Sequence, residues 1–356
     1  MSVAWIGNRD AQVPHAVEHA ATLLVKSRCP VITIEADTDA TRAAISLARK
    51  TGATYDHSSG GLAQEIALFT GHGGVFLSPS EALRRADVVL VVGDLPEAAS
   101  QLLKQLSDVA PDLAGDKART FFSLMVGDLP AAVAKQAVPL TLESASLAGA
   151  VAALRSMQAG RRTAASVTGF NQFSAALAEA RFVAVLCSGQ GCDALVLEML
   201  QGLVDNLNKT IRASMLLWPA SENGWGSALT STWKAGFPLP TSFGKGEAAH
   251  DPWRWSASRM IEEGEADLWL RVGAHPAATR EDVDIIALTH TTEPVEGAAV
   301  TIAIGRPGVD HDAVLFSGLA GTFIARPAEA PGDLPSAAAI LRAIAEHLPE
   351  HEVAPC

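Results

Sequence analysis

Gly189-Gln190-Gly191-Cys192-Asp193-Ala194 fits G-x-G-x-x-A and lies between an apolar run and a helical pattern. In that context the glycines let backbone amides approach a pyrophosphate. The next apolar run ends in Trp218-Pro219, with no acidic residue at its tip to hold a ribose hydroxyl. That favours a tight strand-to-helix turn over a dinucleotide site. Ser58-Ser59-Gly60-Gly61 follows Asp56-His57 and precedes another helical stretch. A nest of amides there would suit an anion, and small residues at an ordinary helix start would look the same. Asp310-His311-Asp312 sets a histidine between two carboxylates. On a strand the two aspartates would share one face and His311 the other, so only a loop would allow a relay.

Metal chemistry finds less support. Cys187 and Cys192 have the wrong spacing for a zinc knuckle, and no second Cys/His pair lies nearby. There is no C-x2-C run for an iron–sulfur cluster. His15 and His19 are an i,i+4 pair on one helix face, a metal face only if a third ligand joins them. No Ser/His/Asp, Cys/His or paired-carboxylate set assembles from spacing, so local chemistry declares no enzyme.

The elements that would position these residues alternate. Strand-length apolar runs are Val31–Ile34, Val88–Val92, Phe121–Val126, Phe182–Leu186, Ser214–Leu217, Leu268–Val272, Ile285–Leu288 and Val300–Ile304. They read as strands buried on both faces, as in a parallel sheet. Helical periodicity fills the gaps, most clearly over His15–Lys26, Ala40–Lys50, Asp193–Leu207, Trp255–Glu263 and Ala337–His347. The alternation predicts an α/β, doubly wound architecture. Val92-Gly93-Asp94-Leu95-Pro96 recurs as Val126-Gly127-Asp128-Leu129-Pro130, and more loosely as Val272-Gly273-Ala274-His275-Pro276. Each copy follows a strand, at the sheet edge where α/β proteins bind ligands; plain turn geometry would also explain it. An Ala-rich helix over Ala145–Thr163 is expected to connect two domains. The expected division is a first α/β domain over 1–160, an inserted α/β domain over 161–276, and a return to the first over 277–356.

The chain of 356 residues is long enough for two domains, and with 48% hydrophobic and 19% charged residues it is globular. A net charge of −12 argues against nucleic acid or an anionic membrane as partner. No apolar run approaches the roughly 18 residues of a membrane span. The start shows no signal-peptide pattern, and four scattered cysteines suit a reducing cytoplasm. High Ala with a single Tyr gives a helix-rich chain of low surface polarity. Either a partner-covered face or a compositional bias of the source genome would produce it.

Six of the seven tryptophans fall between Trp218 and Trp269, amid Gly and Pro: Asn223-Gly224-Trp225-Gly226, Trp233-x-x-Gly236-Phe237-Pro238, Ser242-Phe243-Gly244-Lys245-Gly246, Asp251-Pro252-Trp253. Large aromatics on irregular backbone form a packed interface or a pocket wall.

With Ala43–Ala48, Thr51–Asp56, Ser80-Glu81-Ala82, Arg85–Val89 and Glu262–Asp267, in this order and spacing, these segments resemble the B-type chain of formylmethanofuran dehydrogenase, in the molybdopterin oxidoreductase superfamily. The match runs from near His15 almost to the end. The resemblance implies Rossmann-like doubly wound domains, one inserted in the other. Three departures stand out. The family's N-terminal iron–sulfur domain, with its clustered cysteines, is not expected in this chain, whose first cysteine is Cys29. Its metal-binding Cys-His falls around Ser58–Leu62, where this chain has no thiol. Polar residues that precede Pro at family strand exits are replaced by Leu95 and His275. A soft thiolate ligand is not replaced by Gly.

In those departures the chain is similar to the B-type member of the formyltransferase/hydrolase complex of aerobic methylotrophs. That complex moves a formyl group from formyl-tetrahydromethanopterin to a methanofuran-type carrier and hydrolyses it to formate. The resemblance implies a cofactor-free, cytoplasmic, structural subunit with A-, C- and D-type partners, without catalytic or metal-binding residues of its own. The anchors expected at partner or carrier contacts are Trp225, Trp233, Lys245, Trp253, Arg254 and Trp255, with core packing as the competing role for the tryptophans. Lys234 and Arg259 are further cationic candidates for a polyanionic carrier. Two other readings remain open here: an active molybdopterin enzyme using tungsten or molybdenum with an unusual ligand set, and an unrelated α/β enzyme holding a nucleotide at Gly189–Ala194.

Overall fold

The computed structural model describes residues 3–74, 76–115, 118–142, 146–163, 166–221, 223–273 and 282–349. The chain divides into two compact units. One comprises residues 1–58, 223–316 and 323–356, the other residues 59–222 and 317–322.

The first unit opens with β1 (Ala4–Ile6), β2 (Arg9–Ala11), α1 (Val13–Lys26), β3 (Pro30–Ile34), α2 (Thr38–Thr51) and β4 (Thr54–Asp56). Every residue of β3 is buried, which explains a sequence that is apolar but for Thr33. Helix α2 starts where the Asp37 side chain accepts a hydrogen bond from Ala40 N and stops where Gly52 takes a left-handed φ of 67°.

The second unit follows: α3 (Gly60–His72), α4 (Pro79–Arg85), β5 (Val88–Val92), α5 (Ala99–Asp108), β6 (Thr120–Leu124), α6 (Ala131–Ala134), β7 (Val138–Leu140), α7 (Leu147–Gln158), α8 (Phe170–Glu179), β8 (Phe182–Cys187), α9 (Ala194–Leu207) and β9 (Arg212–Leu217). Its strands form a parallel sheet in the order β7-β6-β5-β8-β9. The order reverses between β5 and β8, the switch point at which doubly wound sheets open a crevice. One face packs Leu90, Val92, Val183 and Val185 against Leu197 and Leu200 of α9; the other packs Val89, Val91 and Leu186 against Leu102 and Leu106 of α5. Fully burying such a side chain contributes about 1.5–3 kcal/mol.

The chain then returns to the first unit with α10 (Gly224–Ala235), β10 (Thr241–Ser242), β11 (Ala249–His250), α11 (Ala257–Glu262), β12 (Leu268–Val272), β13 (Asp284–Thr289), β14 (Val300–Ala303), β15 (Ala313–Ser317), β16 (Thr322–Arg326) and α12 (Ala337–Glu346). The sheet order is β11-β10-β4-β3-β12-β13-β14-β1-β2, parallel from β4 to β14 and antiparallel at both ends. Strands β15 and β16 make a separate two-stranded sheet.

The mixed α/β architecture with parallel sheets is the expected one. The boundaries are not. The units divide at 58/59 and 222/223 rather than at 160/161 and 276/277. The reason is strand pairing: β5 lies between β6 and β8, and β12 lies against β3. The Ala-rich stretch 145–163 is therefore no interdomain link. Its Val151 and Leu154, on α7, are fully buried in the same cluster as Leu197 and Leu200 of α9. Strand β6 ends before the expected Val126, because Met125 takes a φ of 51°.

Candidate functional site

From Asn223 onward the tryptophan-rich segment lies in the first unit, while Trp218 belongs to the second. Helix α10 starts at Asn223, which takes a φ of 55°. The Asn223 side-chain amide donates to Ala36 O, and its carbonyl accepts from Phe316 N at 2.6 Å. A Cβ on Gly226 would stand 2.3 Å from that carbonyl, so the glycine is what lets Asn223 make these bonds. The inner face of α10 is small and polar. Ser227 Oγ is 3.2 Å from Thr41 Oγ1, and Ser231 Oγ is 2.8 Å from the buried Tyr55 hydroxyl. The outer face carries Trp233, 66% exposed, with its ring 5.3 Å from that of Phe323. Trp225 is half-buried, and Lys234 is exposed.

Past α10, Phe237 is exposed and stacks on the His250 ring at 6.1 Å. Lys245 is exposed between β10 and β11. Asp251 Oδ1 then accepts from Trp253 N at 3.0 Å and from Arg254 N at 2.8 Å. This side-chain turn delays α11 until Ala257, two residues beyond the expected Trp255. It also presents Trp253, 71% exposed, and the exposed Arg254. Arg259 braces the turn: its guanidinium donates to Trp253 O at 3.0 Å, to Arg254 O at 2.6 Å and to Glu265 at 2.7 and 2.8 Å. Arg254 lies 4.8 Å over Trp255, which is half-buried and packs with Trp269 and Cys29 against Val31, Met260 and Ile261. Trp218 is buried. Of the expected anchors, Trp233, Lys245, Trp253 and Arg254 are exposed, while Trp225 and Trp255 are half-buried. Arg254 and Trp255 are brought together; Trp233 instead meets Phe323, and Arg259 serves the segment itself.

The other candidates sit on strand exits. In the second unit a Cβ on Gly191 would lie 2.3 Å from the backbone of Asp94, and one on Gly189 would lie 2.1 Å from Gly61 O. The G-x-G-x-x-A turn is thus packed by protein where a pyrophosphate would need room. Asp94 Oδ1 accepts from Gly127 N at 2.8 Å, tying together the two echoed exits after β5 and β6. The third copy, at Ala274-His275-Pro276, lies outside the described residues. Ser59 caps α3, accepting from Leu62 N at 3.4 Å. At Gly61, near the place of the family's thiolate, a Cβ would meet Ala220 Cβ at 2.7 Å and the Gly189 backbone at 2.9 Å. A cysteine at position 61 would clash with this packing, whereas nothing lies within 4 Å of a Cβ on Gly60; residues 58–62 hold no thiol, and so do not suit a thiolate-bound tungsten or molybdenum.

Asp310-His311-Asp312 lies on a loop without forming a relay. Asp310 accepts from Arg306 N at 2.6 Å, Asp312 from Ala328 N at 2.9 Å, and His311 Nδ1 faces Asp312 O at 2.9 Å. Burial pushes the Cys187 thiol far up and the Cys192 thiol up to about 12, so neither is a nucleophile at neutral pH. Among the described residues no group of three His, Cys, Asp or Glu side chains is placed to hold a metal ion.

Sequence reasoning missed Glu65, which is fully buried. Its Oε1 accepts from Gly189 N at 2.9 Å, and the neighbouring Gln64 accepts from Ala194 N at 2.9 Å. A charged residue between Leu62 and Ile66-Ala67-Leu68 was the available signal.

No protein-family model matches the chain. It is 29% identical over 98% of its length, and 99% of the other's, to the B-type member of the formyltransferase/hydrolase complex Fhc of Methylorubrum extorquens. The same identity and a TM-score of 0.86, over 96% of this chain and 98% of the other, relate it to a crystal structure of that organism's FhcABCD complex, determined with methylofuran bound. The chain resembles the B-type Fhc protein along nearly its whole length. The resemblance read from the sequence therefore holds, in its formyltransferase/hydrolase form. Among the described residues no helix is long and apolar enough to cross a membrane.

Proposed function

We propose that this chain is the B-type subunit of a formyltransferase/hydrolase complex in tetrahydromethanopterin- and methanofuran-linked one-carbon metabolism, on the route from formaldehyde to formate. It supports the complex structurally and carries no reaction of its own. Its partners are A-, C- and D-type subunits and a methanofuran-type carrier held by the assembly, in the cytoplasm. The observation that carries the reading is the likeness to the B-type Fhc protein along nearly the whole of both chains. The filled space at Gly61 and at the Gly189–Ala194 turn supports the cofactor-free form over an active molybdopterin dehydrogenase. We read the two units as Rossmann-like domains of the molybdopterin oxidoreductase type. Trp225, Trp233, Lys245, Trp253, Arg254 and Trp255 are the residues we assign to contacts with partner subunits or carrier. The exposure of Trp233 and Trp253 supports this, because free tryptophan surface of that size is costly in water.

The test is purification of the native assembly through a tag on this chain. Three co-purifying subunits with formyltransferase and hydrolase activity, and no tungsten, molybdenum or pterin by elemental and fluorescence analysis, is the expected result. Stoichiometric tungsten or molybdenum bound by this chain would overturn the proposal.

A further inference from the structure

The turn between β8 and α9 has the amide arrangement of an anion site. Cys192 N and Gly191 N fold back on Ser188 O at 3.0 and 3.2 Å, Gln190 N donates to Ser188 Oγ at 3.2 Å, and the Asp193 side chain caps Val196 N at 2.8 Å. Of the remaining amides, Gly189 N before the turn and Ala194 N at the start of the 14-residue helix donate outside it. In α/β proteins such amides face a phosphate, favoured by the positive end of the helix dipole. Here they face α3. Gly189 N donates to Glu65 Oε1 at 2.9 Å, Ser188 Oγ lies 3.4 Å from the same oxygen, and Ala194 N donates to Gln64 Oε1 at 2.9 Å. The fit is close, since a Cβ on Gly189 would stand 2.9 Å from Glu65 Cγ. Glu65 is 0% exposed, and a carboxylate so far from water persists only where donors replace its hydration.

We propose that the Gly189–Ala194 turn is an oxyanion cradle whose ligand is supplied by the chain itself, with the Glu65 carboxylate standing where an external phosphate or carboxylate would otherwise bind. The cradle and its internal anion form one closed device, which makes the second unit independent of a bound nucleotide. Removing the carboxylate leaves a latent site for a small carboxylate of matching size. The inference concerns the second unit alone and stands or falls apart from the role proposed for the chain in a complex.

The experiment is thermal unfolding of the full chain as wild type, Glu65→Ala and Glu65→Gln, in acetate, acetamide, chloride or inorganic phosphate. Acetate replaces the group that the alanine variant lacks. The expected result is that Glu65→Ala melts lower than wild type and regains about 4 °C in acetate at a concentration well above its Kd. Neutral acetamide and chloride give no such gain. Glu65→Gln keeps the volume, loses the charge, melts below wild type and has no room for acetate. The wild type responds to none of the four. Equal melting of Glu65→Gln and wild type would overturn the proposal, and that comparison decides the matter if Glu65→Ala does not fold. So would a folded Glu65→Ala that ignores acetate or responds equally to acetamide, or a wild type that phosphate stabilises.

Discussion

The Arg259 guanidinium lies 4.8 Å from the centre of the Trp253 ring, yet that ring remains 71% exposed. One face of the indole is braced by a cation and the other is open. The brace is itself fixed by Glu265, Glu263 and two backbone carbonyls. A side chain held this firmly meets a partner with little entropy left to lose.

Replacing Trp253 by Ala therefore separates contact from core. Folding stability of the chain should change by no more than about 1 kcal/mol, the scale of an exposed cation–π pair. Subunit affinity should fall by more than about 2 kcal/mol, or roughly 30-fold, if the indole is an anchor. Melting of the isolated chain and the dissociation constant of the assembled complex report the two effects. An unchanged dissociation constant would remove Trp253 from the contact.

Asp56 gives a pH dependence with a defined sign. Burial pushes its carboxyl up to about 7, against the amides of Ala257 and His57 that hold the charged form. The folded chain then keeps a proton that the unfolded chain releases near pH 4. The contribution of Asp56 is full below that pH, falls between about 4 and 7, and is level above. Asp56→Asn cannot titrate, so the melting temperature of wild type minus that of the variant should decline across this window. A flat difference would return Asp56 to the ordinary carboxylate range.

Arg119 is a buried cation used as a bracket. Its guanidinium donates to Ala86 O at 2.7 Å, Leu83 O at 2.7 Å, Val109 O at 2.6 Å and Leu106 O, closing the ends of α4 and α5. Desolvation lowers it to about 10, still far above neutral pH. Arg119→Met strands several carbonyls and should cost about 2–4 kcal/mol in urea unfolding, with no dependence on pH between 6 and 8. A loss below about 1 kcal/mol would mean that water replaces the bracket.

What the sequence makes legible is what local chemistry decides. Val88–Val92 is the buried strand that its apolar run predicts, and the period over Ala40–Lys50 finds α2, whose ends are set by capping at Asp37 and Gly52. The domain division was hidden because it depends on which strands pair. Thr241 lies opposite Tyr55, and Leu268 opposite Pro30, across most of the chain, and no local period encodes that choice. The tryptophan-rich segment was half legible: its tryptophans are evident in the sequence, but whether each faces water or core is set by tertiary packing. Trp253 and Trp255 differ by two residues and have opposite fates. Glu65 was illegible as a partner of Gly189 because the contact joins residues far apart in the chain.

Gly60 and Gly61 make the most direct test of the filled turn, since they are adjacent and should behave oppositely. Nothing lies within 4 Å of a Cβ on Gly60, which opens α3. Gly60→Ala should be neutral or slightly stabilising, because it narrows the unfolded ensemble without a clash. A Cβ on Gly61 meets Ala220 at 2.7 Å and the backbone of Gly189 at 2.9 Å, neither of which is the end of a flexible side chain. Gly61→Ala should cost about 1–3 kcal/mol by overpacking, and Gly61→Cys more. Equal stability of the two alanine variants would show room beside Gly61. In that case Gly61→Cys becomes the variant in which to look for a recovered metal ligand, by tungstate or molybdate content of the purified chain.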